Sequence, residues 1–241
     1  TFTVLSFTSF EPQISFVGFD KEWQPAYHGA LFHDVQWWWW DYSVYDYIES
    51  HFGEFATVVP RTWLSLGFEE GGYIPIQYEG RQVDILSLMG LSPQEPGATG
   101  VDRALVAGSW FSEDREESVL LPVALAAQLG IAPEDVGSVS VSIFGQDWRV
   151  RGLYDAARYA EIKDLNDEPL TPAKQNFAQN FMPGMEQLTM SLYNSDVDFD
   201  VSFEHLDPRR IAILPYSALE SMDAKLYSVA VRFDDGVDGE G

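Results

Sequence analysis

Val106-Ala-Gly108-Ser-Trp110-Phe111-Ser-Glu-Asp114, Val119-Leu-Leu-Pro122, Leu125-Ala-Ala-Gln-Leu129-Gly130-Ile131, Asp135-Val-Gly137, Val141-Ser-Ile-Phe-Gly145 and Trp148-Arg-Val150-Arg-Gly152 follow one another in the middle of a 241-residue chain. Their grammar is loop, helix and paired strands. Pro122 suits the first turn of a helix, where a missing N–H costs nothing, residues 124–129 continue it, and Gly130 ends it. Residues 139–144 and 148–153 alternate apolar and polar side chains, which predicts a hairpin turning at Gly145-Gln146-Asp147.

Working outward, residues 91–100 hold two prolines and, with Gly90, three glycines. This composition predicts a subdomain junction. Upstream, residues 2–10 and 13–19 read as strands, and residues 55–59 as a strand stopped by Pro60. Residues 73–78 and 82–88 form a hairpin around Glu79-Gly80. Trp37, Trp40, Val44 and Ile48 have helical spacing, so a helix ends near Phe52 with Gly53 as its cap. Its start has two solutions, because the tryptophan run also fits the end of a strand with Asp41 as N-cap. Downstream, residues 164–180 read as an ordered loop. Residues 187–193, 197–203, 210–214 and 227–233 read as strands, 217–222 as a short helix and 234–241 as a solvated acidic tail.

Charge narrows the function. Fourteen Lys and Arg stand against 38 Asp and Glu, a formal net charge of −24. Such a chain repels phosphate backbones and anionic lipid headgroups, which excludes nucleic acid as a partner. With 46% hydrophobic and 15% aromatic residues it is nonetheless a folding chain, expected to be a monomer. The absence of cysteine removes disulfides, thiol nucleophiles and Cys-ligated metals. No apolar stretch approaches the roughly 20 residues of a spanning helix.

Catalytic signatures are missing. The chain has no phosphate-binding glycine loop and no Gly-x-Ser-x-Gly elbow, and His28, His33, His51 and His205 lack metal-ligand spacing. No enzyme activity and no cofactor are therefore expected. Asp196, Asp198 and Asp200 alternate, and three carboxylates on one strand face can hold Ca²⁺ or form a solvated acidic face. Trp37, Trp38, Trp39 and Trp40 are the candidates for partner contact. Four consecutive indoles leave at least one exposed on a helix, and the run suits core packing, a protein or lipid interface, or stacking on sugars.

The middle series resembles the MacB-like periplasmic core domain of FtsX-type ABC transporter permeases. That family shows a Gly-Arg-x-Phe element, an acidic turn, a strand, a helix ending near Leu-Gly, a Val-Gly turn and a hairpin closing in Val-x-Gly. Here Ser109 stands where the family usually has Arg. The matching positions, with structural roles implied, are Gly108, Trp110, Phe111, Leu129, Gly130, Gly137, Gly145 and Gly152.

The resemblance implies an α+β fold of two subdomains. Residues 1–90 and 187–241 would form a Porter-like body, and residues 91–186 an inserted Sabre-like part. It further implies an extracytoplasmic, non-catalytic domain on the periplasmic or extracellular face of the bacterial cytoplasmic membrane. Thr1 and Gly241 would lie beside the permease's transmembrane helices. A cytoplasmic ATPase would drive the complex, and the domain would transmit that motion to a periplasmic partner protein or lipophilic cargo. Two other classes stay open: a secreted or periplasmic carbohydrate-binding module or glycosidase using the tryptophan cluster, and a lipoprotein or hydrophobic-cargo chaperone using an apolar cleft.

Overall fold

The computed structural model describes residues 13–19, 25–33, 43–66, 73–165, 167–176, 202–222 and 224–233. Among the described residues twelve strands join in one mixed sheet. They are β1 (Gln13–Phe19), β2 (Pro25–His33), β3 (Ala56–Leu64), β4 (Ile74–Tyr78), β5 (Arg81–Ile85), β6 (Ser87–Leu91), β7 (Leu105–Gly108), β8 (Ser118–Pro122), β9 (Ser140–Ile143), β10 (Gln146–Tyr154), and, past the separate pair β11 (Ala173–Asn176) and β12 (Ser202–His205), β13 (Ile211–Pro215) and β14 (Lys225–Phe233). The helices among the described residues are short: α1 (Ser43–Phe52), α2 (Glu95–Thr99), α3 (Val123–Leu129), α4 (Ala156–Ala160) and α5 (Tyr216–Glu220). This is the α+β class.

Strand order is β1-β2-β14-β3-β6-β13-β8-β10-β9-β4-β5, with β7 paired to β10. β13 runs parallel to β6, and β10 parallel to β8; the other pairs are antiparallel. The central strands β6, β8 and β13 are buried at every residue. Their sequences, Ser-Leu-Met-Gly-Leu, Ser-Val-Leu-Leu-Pro and Ile-Ala-Ile-Leu-Pro, are near-continuous apolar runs because both faces of the sheet are covered. On one face Leu88, Leu121 and Leu214 pack with Leu125 and Leu129 of α3 and Leu219 of α5. On the other, Met89, Leu120 and Ile213 pack with Tyr159 of α4 and with Val101 and Ala104.

β3 continues through Pro60, against the stop predicted there. The ladder between β3 and β6 begins only at Arg61↔Leu91, whereas Pro60 is paired on the β14 side, opposite Val229. A proline is tolerated where one side of the strand needs no donor. The run predicted over 82–88 divides at Leu86, whose N–H leaves the hairpin to reach the Arg210 carbonyl at 2.8 Å. In the β9–β10 hairpin the turn falls at Phe144-Gly145, earlier than predicted, since Gln146 already pairs with Ile143. The loop predicted over 164–180 contains β11, which pairs with β12. The β4–β5 hairpin, although it precedes residue 91, pairs with β9 of the middle segment. The strands predicted over 2–10 and 187–193, most of that over 197–203, and the acidic tail lie outside the described residues.

Candidate functional site

Residues 91–100, the predicted junction, are tied down at several points. Pro96 sits in the first turn of α2, and Gly100 adopts a left-handed conformation at its end, so the proline and glycine content builds a short capped helix. That helix brings Glu95 onto Arg61 of β3. Arg61 is 1% exposed and Glu95 0%. The guanidinium grips the carboxylate with two bonds, Nε to Oε2 at 3.0 Å and Nη2 to Oε1 at 2.9 Å. Its Nη1 donates to Asp164 Oδ2 at 2.6 Å, where the Asp164 side chain is 13% exposed. Thr99 Oγ1 donates to Glu95 Oε1 at 3.0 Å, and the Leu165 N–H to Asp164 Oδ1 at 2.6 Å.

Burial by itself would lower the Arg61 pKa. Asp164 and then Glu95 override it and raise the pKa above its ordinary value. The site therefore holds one permanent cation between two carboxylates, linking β3, α2 and the 161–171 loop. Such a bidentate fork fixes orientation as well as distance. Two further bonds pin the junction: Trp110 Nε1 donates to the Ser92 carbonyl at 3.1 Å, and Arg232 of β14 donates to the Gly97 carbonyl. Nothing in the prediction pointed to this cluster. Its signal was an arginine directly after the apolar run Val58-Val59-Pro60 of a strand, which once buried needs acidic partners.

The resemblance positions gather on the β7–β10 side. Gly108 lies opposite Gly152 in the β7–β10 ladder, and a Cβ on Gly108 would strike the Arg151 carbonyl oxygen. Phe111 is buried and Trp110 half-buried, their rings 5.2 Å apart. Leu129 ends α3 and is followed by Gly130; Arg81 Nη1 reaches the Leu129 carbonyl at 3.1 Å. The Gly137 N–H donates to the Val150 carbonyl at 2.7 Å, and Gly145 sits in the hairpin turn. These contacts are backbone geometry rather than reactive chemistry.

Trp37, Trp38, Trp39, Trp40, Asp196, Asp198 and Asp200 lie outside the described residues. His51 is exposed on α1, and His205 Nδ1 lies 2.8 Å from the Thr171 carbonyl. Among the described residues no three His, Asp or Glu side chains converge as metal ligands, and no helix is long and apolar enough to cross a membrane.

No protein-family model and no curated protein matches the chain. Solved structures do. The periplasmic region of MacB from Actinobacillus actinomycetemcomitans superposes with a TM-score of 0.47 at 13% identity, covering 94% of this chain and 76% of that one. The extracellular domain of the noncanonic ABC-type transporter YknZ from Gram-positive bacteria gives a TM-score of 0.46 at 12% identity, covering 93% and 84%. The chain is similar to two extracytoplasmic domains, one of them from an ABC-type transporter.

Proposed function

We propose that this chain is the extracytoplasmic domain of an ABC transporter permease. It stands between membrane helices on the periplasmic or extracellular face, contacts a partner protein or lipophilic cargo, and passes on motion driven by ATP hydrolysis elsewhere in the complex. It performs no chemistry itself. The observation that carries the reading is the course of residues 105–154. A strand ending at Gly108, an acidic turn, β8, α3 closing at Leu129-Gly130, a turn at Val136-Gly137 and a hairpin closing through Val150 to Gly152 follow in the order of the family motif.

In this reading residues 1–90 with 187–241 act as one body and residues 91–186 as the other. Arg61, Glu95 and Asp164 form the tie through which a tilt of the first is passed to the second. Trp37, Trp38, Trp39 and Trp40 belong to the contact surface. The parent reading frame tests the proposal: hydrophobic segments of about 20 residues are expected on both sides of the domain. The intact protein should also co-purify with a nucleotide-binding ATPase. A parent lacking such segments overturns the reading.

A further inference from the structure

Two consecutive side chains fasten the loop between Ile162 and Leu170 to the place where β3, α2 and β14 meet. Asp164 Oδ2 takes the Nη1 bond of Arg61 at 2.6 Å. Leu165 packs on Val59 of β3, Ala98 of α2 and Ala230 of β14, all three buried. These form an apolar socket, and Arg61, two residues beyond Val59 on the same strand face, sets a guanidinium beside it.

The backbone bonds of the loop run within it. The Asp164 N–H donates to the Glu168 carbonyl at 2.8 Å, the Asp167 N–H to the Asp164 carbonyl at 3.0 Å, and the Leu170 N–H to the Ile162 carbonyl at 3.4 Å. Lys163 pairs with Pro169 in an antiparallel bridge. Both ends are anchored, since Leu170 is buried in the cluster around Met89 and Tyr159 and Ile162 packs against it. Exposed Glu168 adds a loose contact, 3.6 Å from His205 Nε2. The socket has its own fastenings: Glu95 of α2 grips Arg61 with two bonds, and Arg232 of β14 donates to the Gly97 carbonyl of α2.

We propose that residues 162–170 are a strap, closed by the two-residue key Asp164-Leu165, that lifts as one piece from a preformed socket while the rest of the domain stays folded. Closed, the site sets one cation against two carboxylates and carries one negative charge in excess. Lifting hydrates the surplus carboxylate and leaves the neutral Arg61–Glu95 pair, so no buried charge is orphaned. Asp164 is the partner that leaves, because its side chain is 13% exposed and that of Glu95 0%. The loop keeps its internal bonds, and the motion gives up the key alone. Open, the socket presents a small apolar floor and a free guanidinium N–H. The strap stands on these contacts and holds or fails independently of the transport reading.

The chain has no cysteine, so a single one reports on the socket. Ala98→Cys places a thiol beneath Leu165, and its rate of modification by an aromatic disulfide reagent is followed in the 241-residue chain at low urea concentrations. Lifting of the strap exposes little surface, so the rate should barely change with urea, whereas access through global unfolding makes it climb steeply. Adding Asp164→Ala removes a charge-assisted bond and should speed labelling at least about tenfold with the same flat urea dependence. Leu165→Ala should act in the same direction, and Asp84→Ala, at an exposed acid on β5, should change nothing. Should Ala98→Cys fold poorly, Ala230→Cys reads the same floor from β14. Labelling that follows global unfolding, or that Asp164→Ala leaves unchanged, overturns the strap.

Discussion

Gly108 has a φ of 77°, and its Cα faces the Arg151 carbonyl, so it is excluded from bearing a side chain on two counts. Gly137 shares the positive φ, at 84°, but a Cβ there meets nothing within 4 Å. The pair separates strain from collision. Gly108→Ala is expected to cost about 3 kcal/mol or more and Gly137→Ala about 1 kcal/mol, measured by urea denaturation. Equal costs would show that the close approach at Gly108 relaxes freely. Arg61 presents the opposite problem, a charge that is safe only while its partners remain. Replacing it by Met leaves Glu95 and Asp164 buried without a cation, for an expected loss of about 3–5 kcal/mol. Glu95 was invisible as a partner because it lies 34 positions from Arg61 in the chain. Periodicity reads neighbours along one element and has no term for a contact between two.

At the level of elements, the two tight hairpins use the same device. Glu79-Gly80 and Phe144-Gly145 both combine two positive φ values, the geometry that matches strand twist in a two-residue turn. The first was legible because the polar pair Glu79-Gly80 stands between two apolar-containing strand runs. The second was placed too late because phenylalanine is a poor occupant of its position, with φ 52° and half its surface exposed. Phe144→Asn should therefore stabilise the chain by about 0.5–1 kcal/mol, raising the melting midpoint by about 1–4 °C in calorimetry. A lower midpoint would mean that the aromatic ring contributes packing that outweighs the turn. Pro60 teaches a related lesson. A proline interrupts a ladder only on the edge that its missing N–H would face, and whether that edge has a neighbour is a property of the sheet, not of the residue.

Across the whole molecule, the surplus of 24 negative charges opposes compaction through long-range repulsion. Added salt screens that repulsion, since the Debye length falls from about 30 Å at 0.01 M to about 8 Å at 0.15 M. Melting temperature should rise between those concentrations of sodium chloride, read by differential scanning fluorimetry. A fall would show that local ion pairs outweigh the net charge. The same ledger of charge, together with the missing cysteines and the apolar content, followed from composition alone, because these quantities do not depend on where a residue sits. So did most local elements: α3 between Pro122 and Gly130, the β4–β5 hairpin, the buried run of β13 and the strand β14, whose signals lie within a few consecutive residues. The order of strands did not. That the 74–85 hairpin would cross to β9, that β13 would lie between β6 and β8, and that Arg61 would find both Glu95 and Asp164 were settled by long-range packing. Those pairings join segments far apart in the chain, and only the burial of both sheet faces at once selects among them.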